Sequence, residues 1–137
     1  MRAVLDTVVF VRALINPVSV WGQLLEAHDE YELVISPEIL VEIVDVLNRP
    51  ELLRRFPRMS ALPDARRVLG IIEKAEFVEP ADVEPVCRDP KDDKFFACAI
   101  AGGADYIVSE DRDILVVGEY RGVRTVHAAK FLALLGR

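Results

Sequence analysis

The chain has 137 residues, enough for one domain with a sizeable core. Hydrophobic residues make up 52% and charged residues 29%, a mixture that argues against a disordered chain. With 17 basic against 23 acidic residues the formal charge is −6, which argues against coating nucleic acid by net charge but leaves room for a basic patch beside an acidic site.

The first apolar run, residues 3–5, is continuous rather than alternating and reads as a buried parallel strand that ends at Asp6. Asp6 also interrupts that run too early for a signal peptide. The longest stretch without charge, 13–25, holds Asn16, Pro17 and Gln23, so no membrane span is expected. A helical pattern covers 18–27 and a second strand 33–35. Ser36 then caps a helix over 37–47, with Pro37 at its first position. Pro50, Pro57 and Pro63 divide the middle of the chain into short helical pieces, the last over 63–74. A short strand at 77–78 is followed by a helix over 92–101 that stops at Gly102-Gly103. Strands at 106–108 and 124–126 and a helix at 128–135 complete the chain. Strand alternating with helix predicts a single α/β domain over 1–137, a three-layer α/β/α sandwich around a parallel sheet. Cys87 and Cys98 form no metal-ligand spacing with His28 or His127 and read as packing thiols of a cytoplasmic protein.

Acids recur at the carboxyl ends of these runs, the edge where parallel sheets bind ligands. Asp6 follows the first strand, and Asp111 and Asp113 follow the fourth. Asp89, Asp92 and Asp93 precede an apolar helix, and three acids in five residues exceed what a cap requires. Glu42 lies with Glu38 and Asp45 on one stripe of a helix so apolar that packing on both flanks is expected, the stripe facing a cleft. Each acid alone has a plain reading as a cap or a solvated face. Together they would repel, by roughly 3 kcal/mol for a pair about 5 Å apart, so a divalent cation is the economical occupant. Oxygen ligands without Cys or His suit Mg²⁺ or Mn²⁺.

Four segments carry a family resemblance: Val4-Leu5-Asp6-Thr7, Ser36-Pro37-Glu38-Ile39-Leu40-Val41-Glu42, Arg88-Asp89-Pro90-Lys91-Asp92-Asp93-Lys94-Phe95, and Gly103-Ala104-Asp105-Tyr106-Ile107-Val108-Ser109-Glu110-Asp111. In this order they resemble the PIN-domain ribonucleases, in particular the compact prokaryotic toxins of toxin–antitoxin pairs, over essentially the whole chain. The resemblance implies a PIN-like sandwich whose crevice binds Mg²⁺ or Mn²⁺ and hydrolyses RNA. By position it makes Asp6, Glu42, Asp92 and Asp111 the catalytic acids, with Asp6, Asp92 and Asp111 on the metal. Asp92 is preferred to Asp93 because Ala99 then stands seven residues on. Thr7, Asp89, Asp93, Ser109 and Asp113 are further candidates, Ser109 as the hydroxyl residue two before the fourth acid. One departure is Val8, where the family usually has an asparagine that helps order the site. The resemblance also implies an antitoxin partner and a homodimer, for which Val18, Trp21 and Leu25 are candidate contacts.

Arg49, Arg54, Arg55, Arg58, Arg66 and Arg67 stand against only Glu51 and Asp64. This segment is a candidate RNA-holding patch beside the crevice, with Arg54, Arg55 and Arg58 as its best members. Two other classes remain. A receiver-like or phosphoryl-transfer domain also puts an aspartate after a strand, but Thr7 and Val8 stand where its second acid belongs. A non-catalytic module that keeps the fold and binds RNA or protein draws its support from Val8.

Overall fold

The continuous apolar runs form the interior of one sheet. A computed structural model describes residues 1–56 and 62–137. Strands β1 (Arg2–Leu5), β2 (Glu32–Ile35), β3 (Glu76–Phe77), β4 (Tyr106–Val108), β5 (Glu119–Tyr120) and β6 (Val123–Val126) pair in the order β3-β2-β1-β4-β6-β5. All neighbours are parallel except β5 and β6. Ala3, Val4, Leu5, Ile107 and Val108 are fully buried because β1 and β4 are central and covered on both faces. The expected strand at 77–78 is instead Glu76–Phe77, an exposed edge strand.

β5 has no counterpart among the expected strands. It makes a hairpin with β6 through Arg121 and Gly122, both at positive φ (48° and 86°), as a two-residue primed turn requires. Two residues are too few for periodicity to show.

Helix α1 (Thr7–Ile15) is likewise absent from the sequence reading. Its first turns, Thr7-Val8-Val9-Phe10-Val11, are rich in β-branched residues with weak helix preference. Tertiary burial of Thr7, Val9, Phe10, Val11 and Ala13 overrides that preference. Helix α2 (Val20–Glu26) is shorter than the expected 18–27 and gives way to a 3₁₀ turn, Ala27–Glu30. It passes so close to the preceding turn that a Cβ on Gly22 would sit 2.0 Å from the Pro17 carbonyl oxygen. Helix α3 (Pro37–Leu47) starts at the Ser36 cap, whose Oγ accepts from the Ile39 N–H. It is packed on one flank only, since Ile39 and Ile43 are buried while Val41 and Val44 are exposed. Helices α4 (Pro50–Arg55) and α5 (Leu62–Lys74) follow.

A 3₁₀ turn, Pro90–Asp92, leads into α6 (Asp93–Ala101), which begins one residue later than expected. The helix stops at Gly102-Gly103 as expected, with Gly103, at φ 60°, in the left-handed conformation. Helices α7 (Arg112–Leu115) and α8 (Ala128–Leu134) complete the fold. His127 is structural: its Nδ1 accepts from the Lys130 N–H and caps α8.

The chain steps outward from β1 to β2 to β3, then returns past them to β4. Right-handed crossovers in opposite directions place α1 and α2 on one face and α6 on the other. Accordingly α1 packs on α2 and α2 on α8, whereas α6 lies across β1, β2, β4 and β6. Phe10, Phe95, Phe96, Phe131, Ile107 and Ile114 are among the largest fully buried side chains of a continuous core. Both cysteines are buried and free, their thiols pushed up to about 12 mainly by burial. No single helix among the described residues is long and apolar enough to cross a membrane.

Candidate active site

The reversal of strand order falls between β1 and β4, and open α/β sheets bind their ligands in the crevice at such a point. Leu5 pairs with Val108, so Asp6 and Ser109 leave the sheet side by side. The Asp6 N–H donates to the Val108 carbonyl at 3.0 Å. Its side chain, 4% exposed, is held twice: Oδ1 accepts from the Val8 N–H (3.1 Å) and Oδ2 from the Ser109 hydroxyl (2.7 Å). The same hydroxyl oxygen accepts from the Asp111 N–H (2.9 Å), so one serine ties the two acids together. Asp111 in turn caps α7 by accepting from the Asp113 N–H (2.8 Å). Asp6 and Asp111 therefore are helix caps, and both also stand at the crevice.

The acids after Cys87 divide by their partners. Asp93 turns away, its Oδ1 accepting from the Val86 and Cys87 N–H groups (3.2 and 2.8 Å) and anchoring the incoming loop. Asp89 caps the 3₁₀ turn through the Lys91 N–H. Asp92 makes no capping hydrogen bond. Carboxylate oxygens of Asp92, Asp111 and Asp113 lie within 4.8 Å of one another. Asp113, a secondary candidate by sequence, joins this group.

Electrostatics follow from the crowding. Burial raises the Asp6 pKa, opposed by the Ser109 hydrogen bond and reinforced by Asp111 and Glu42. Asp92 is raised to about 6 by burial first, then by Asp111, Asp89 and Asp6. Acids that resist ionising together fit a divalent cation, which would relieve the repulsion and use the hard oxygen donors present. Thr7 adds an observation of the same kind: its buried Oγ1 has no hydrogen-bond partner, a cost of about 1–3 kcal/mol that a ligand oxygen would relieve.

Glu42 projects from α3 toward Lys94 on α6, with Oε2 2.5 Å from Nζ. The Lys94 side chain is 9% exposed, and Nζ also donates to the Lys91 carbonyl (2.6 Å) and lies 5.1 Å from the Phe95 ring centre. A groove of about 470 Å³ opens beside this pair, lined by Glu38, Asp82, Lys91 and Asp93 among others. Lys94 had no role in the sequence reading, although a signal was there. A lysine in a helix's first turn opposes the macrodipole and calls for acidic company. Glu110 was also missed. It accepts from the Trp21 indole N–H (3.2 Å) and the Ala128 N–H (2.9 Å), locking the loop beside Asp111 to α2 and α8.

Val8, the position of the family's asparagine, holds Asp6 by its backbone N–H while its side chain is exposed. The cap is thus independent of the side chain there. Of the expected interface residues, Val18 is 83% exposed, but Trp21 is half-buried and Leu25 belongs to the core. Leu25 and Leu24 are adjacent on a seven-residue helix held between neighbours, so both are covered.

The described arginines of the middle segment lie on two helices, Arg54 and Arg55 on α4 and Arg66 and Arg67 on α5. Arg66 and Arg67 line a groove of about 600 Å³ with Glu26, His28, Lys74 and Arg137, near the amino ends of β2 and β3 and thus opposite the acids. Arg67 lies 3.9 Å from Glu26, and Lys74 and Arg137 are paired with Asp29 and Glu30. Arg54 and Arg55 are exposed at the end of α4, and Arg58 lies outside the described residues.

A family model for the PIN domain matches residues 2–113. The chain belongs to the PIN-domain family. The PIN domain is generally a nuclease fold, and an acidic group of Asp92, Asp111 and Asp113 is present in this chain. An uncharacterised protein of Methanocaldococcus jannaschii is 31% identical over 136 residues, covering 93% of this chain and 83% of that protein. The crystal structure of PAE2754 from Pyrobaculum aerophilum matches the PIN fold with a TM-score of 0.58, over 99% of this chain and 90% of that one. At 12% identity this second likeness bears on the fold alone.

Proposed function

We propose that this PIN domain is a metal-dependent endoribonuclease. The observation that carries the reading is the convergence of Asp92, Asp111 and Asp113 within 4.8 Å, beside the buried Asp6, at the reversal of strand order. Asp6, Asp92 and Asp111 would hold Mg²⁺ or Mn²⁺, with Asp113 as a further ligand and Glu42 on the crevice wall. A bound ion supplies Lewis-acid polarisation of the scissile phosphate, a lowered pKa for water and compensation of charge on the leaving oxygen. Ser109 fixes the carboxylate of Asp6 and the backbone of Asp111, so neither has to reorganise when RNA arrives. A carboxylate of the group orients the attacking water and accepts its proton. Incubation with a circular single-stranded RNA tests the endonucleolytic part: linear product supports it, and an intact circle beside degraded linear RNA would indicate an exonuclease instead.

Arg54 and Arg55 are the proposed RNA contacts. Their joint replacement by glutamine is expected to weaken RNA binding about fivefold to tenfold and to lower the salt slope by about 1.4, at roughly 0.7 per single-strand phosphate contact. An unchanged slope in a salt titration would remove the assignment.

A cytoplasmic toxin role, with a homodimer and a small antitoxin, rests on the sequence resemblance. The exposed Val18 of the α1–α2 turn supports an interface on that face. Native mass measurement of protein purified from its host checks this. The expected species is a dimer carrying a small protein; a bare monomer would count against it and leave the nuclease reading standing.

A further inference from the structure

The acidic crevice contains one nearly buried cation of its own. Lys94 rises from the first turn of α6 with its ammonium 5.1 Å from the Phe95 ring centre and between Glu42 and the carbonyl of Lys91. Its charge also favours the ionised form of Asp92, so its field reaches the acid group. The carboxylates are therefore unequal. Glu42 has a cation at 2.5 Å already, whereas Asp92, Asp111 and Asp113 crowd together and Asp6 is held by neutral donors. Two-ion phosphodiesterase sites place their ions about 3.5–4 Å apart, each needing carboxylate of its own. An ammonium against Glu42 takes the carboxylate that a second ion would use and repels any ion brought there.

We propose that Lys94 is a positioning residue that substitutes for a second metal ion: it neutralises Glu42 and confines the crevice to a single divalent cation at Asp6, Asp92 and Asp111. This rests on the metal-dependent reading above and deepens it to the number of ions. Lys94 is not the ligand of a reacting atom. It acts by holding Glu42 and by its fixed charge. The carbonyl of Lys91 accepts from the same ammonium, a second tie that comes from the backbone of the fold.

The test is a Mn²⁺ titration followed by electron paramagnetic resonance and calorimetry on the whole chain, with no RNA present. Wild type is expected to bind one Mn²⁺ per chain, and Lys94→Arg also one. Lys94→Met, which keeps an unbranched side chain of similar length and removes the charge, is expected to bind two, with spin–spin broadening from neighbouring ions. Adding Glu42→Gln to Lys94→Met should return the count to one. If Lys94→Met does not fold, Lys94→Gln carries the same comparison. Two ions in wild type, or one ion with unchanged affinity in the neutral variant, would overturn the proposal and leave the metal-dependent reading intact. No Mn²⁺ in wild type at millimolar concentration would overturn both.

Discussion

Asp6→Asn is expected to lower RNA cleavage by at least about a thousandfold, close to 4 kcal/mol in the barrier, in a protein that remains folded. Asparagine keeps an oxygen where Oδ1 accepts from the Val8 N–H, and it is as good an N-cap as aspartate. The helix that Asp6 starts should therefore survive. What disappears is a buried negative charge whose neighbours include Asp111 and Glu42. Relief of that repulsion should leave thermal stability equal to wild type or a few degrees higher. Loss of activity with undiminished stability separates a site role from a cap role, since a lost cap lowers both. Cleavage within tenfold of wild type would remove Asp6 from the chemistry.

The second large effect is on stability. Asp92 has a folded-state pKa of about 6 against an unfolded value of 3.8, and Asp6 is shifted the same way. Between those values the folded protein keeps a proton that the unfolded chain releases. The metal-free protein should consequently gain stability as pH falls from about 7 toward 4.5, and lose it as pH rises through 6. This is opposite in sign to the behaviour of salt-bridged carboxylates. Mn²⁺ should act in the other pH range. At pH 7 and a concentration near 100 times Kd it adds about 2.7 kcal/mol, roughly 9 °C in Tm for a chain of this size. At pH 5 protons compete for the same oxygens and the gain should shrink. Trp21 is the single tryptophan and touches Glu110 beside the site, so its fluorescence reports the transition. A Tm indifferent to Mn²⁺ at pH 7, or one that falls steadily from pH 7 to 5 without metal, would contradict this electrostatic picture.

The sheet was legible because β1, β2 and β4 bury most of their residues on both faces, and burial on both faces writes a continuous apolar run into the sequence. α1 was not, because Thr7 to Val11 prefer a strand locally and become helical through packing on α2 and α3. β5 depends on a hairpin turn at Arg121-Gly122, whose left-handed backbone leaves little trace beyond the glycine. The acids could be picked out by position at the carboxyl ends of strands, and spacing preferred Asp92 to Asp93. What spacing could not show is that Asp92 lies with Asp111 and Asp113, whereas Asp93 accepts from a pair of loop N–H groups, those of Val86 and Cys87, in a segment with no regular structure. Lys94 left a signal in its place in a helix's first turn, but its partner Glu42, like the partners Trp21 and Ala128 of Glu110, is distant in sequence. Composition counts the arginines without saying which edge of the sheet each one reaches, and Arg66 and Arg67 line a groove near the amino ends of β2 and β3.

The most direct measurement is the initial rate of RNA cleavage by the purified wild-type chain at pH 7.5, with Mn²⁺ and in parallel with a chelator. The account predicts internal cleavage with Mn²⁺ that chelator abolishes and added Mn²⁺ restores. No cleavage with Mn²⁺, or cleavage that survives the chelator and persists in Asp6→Asn, would contradict it.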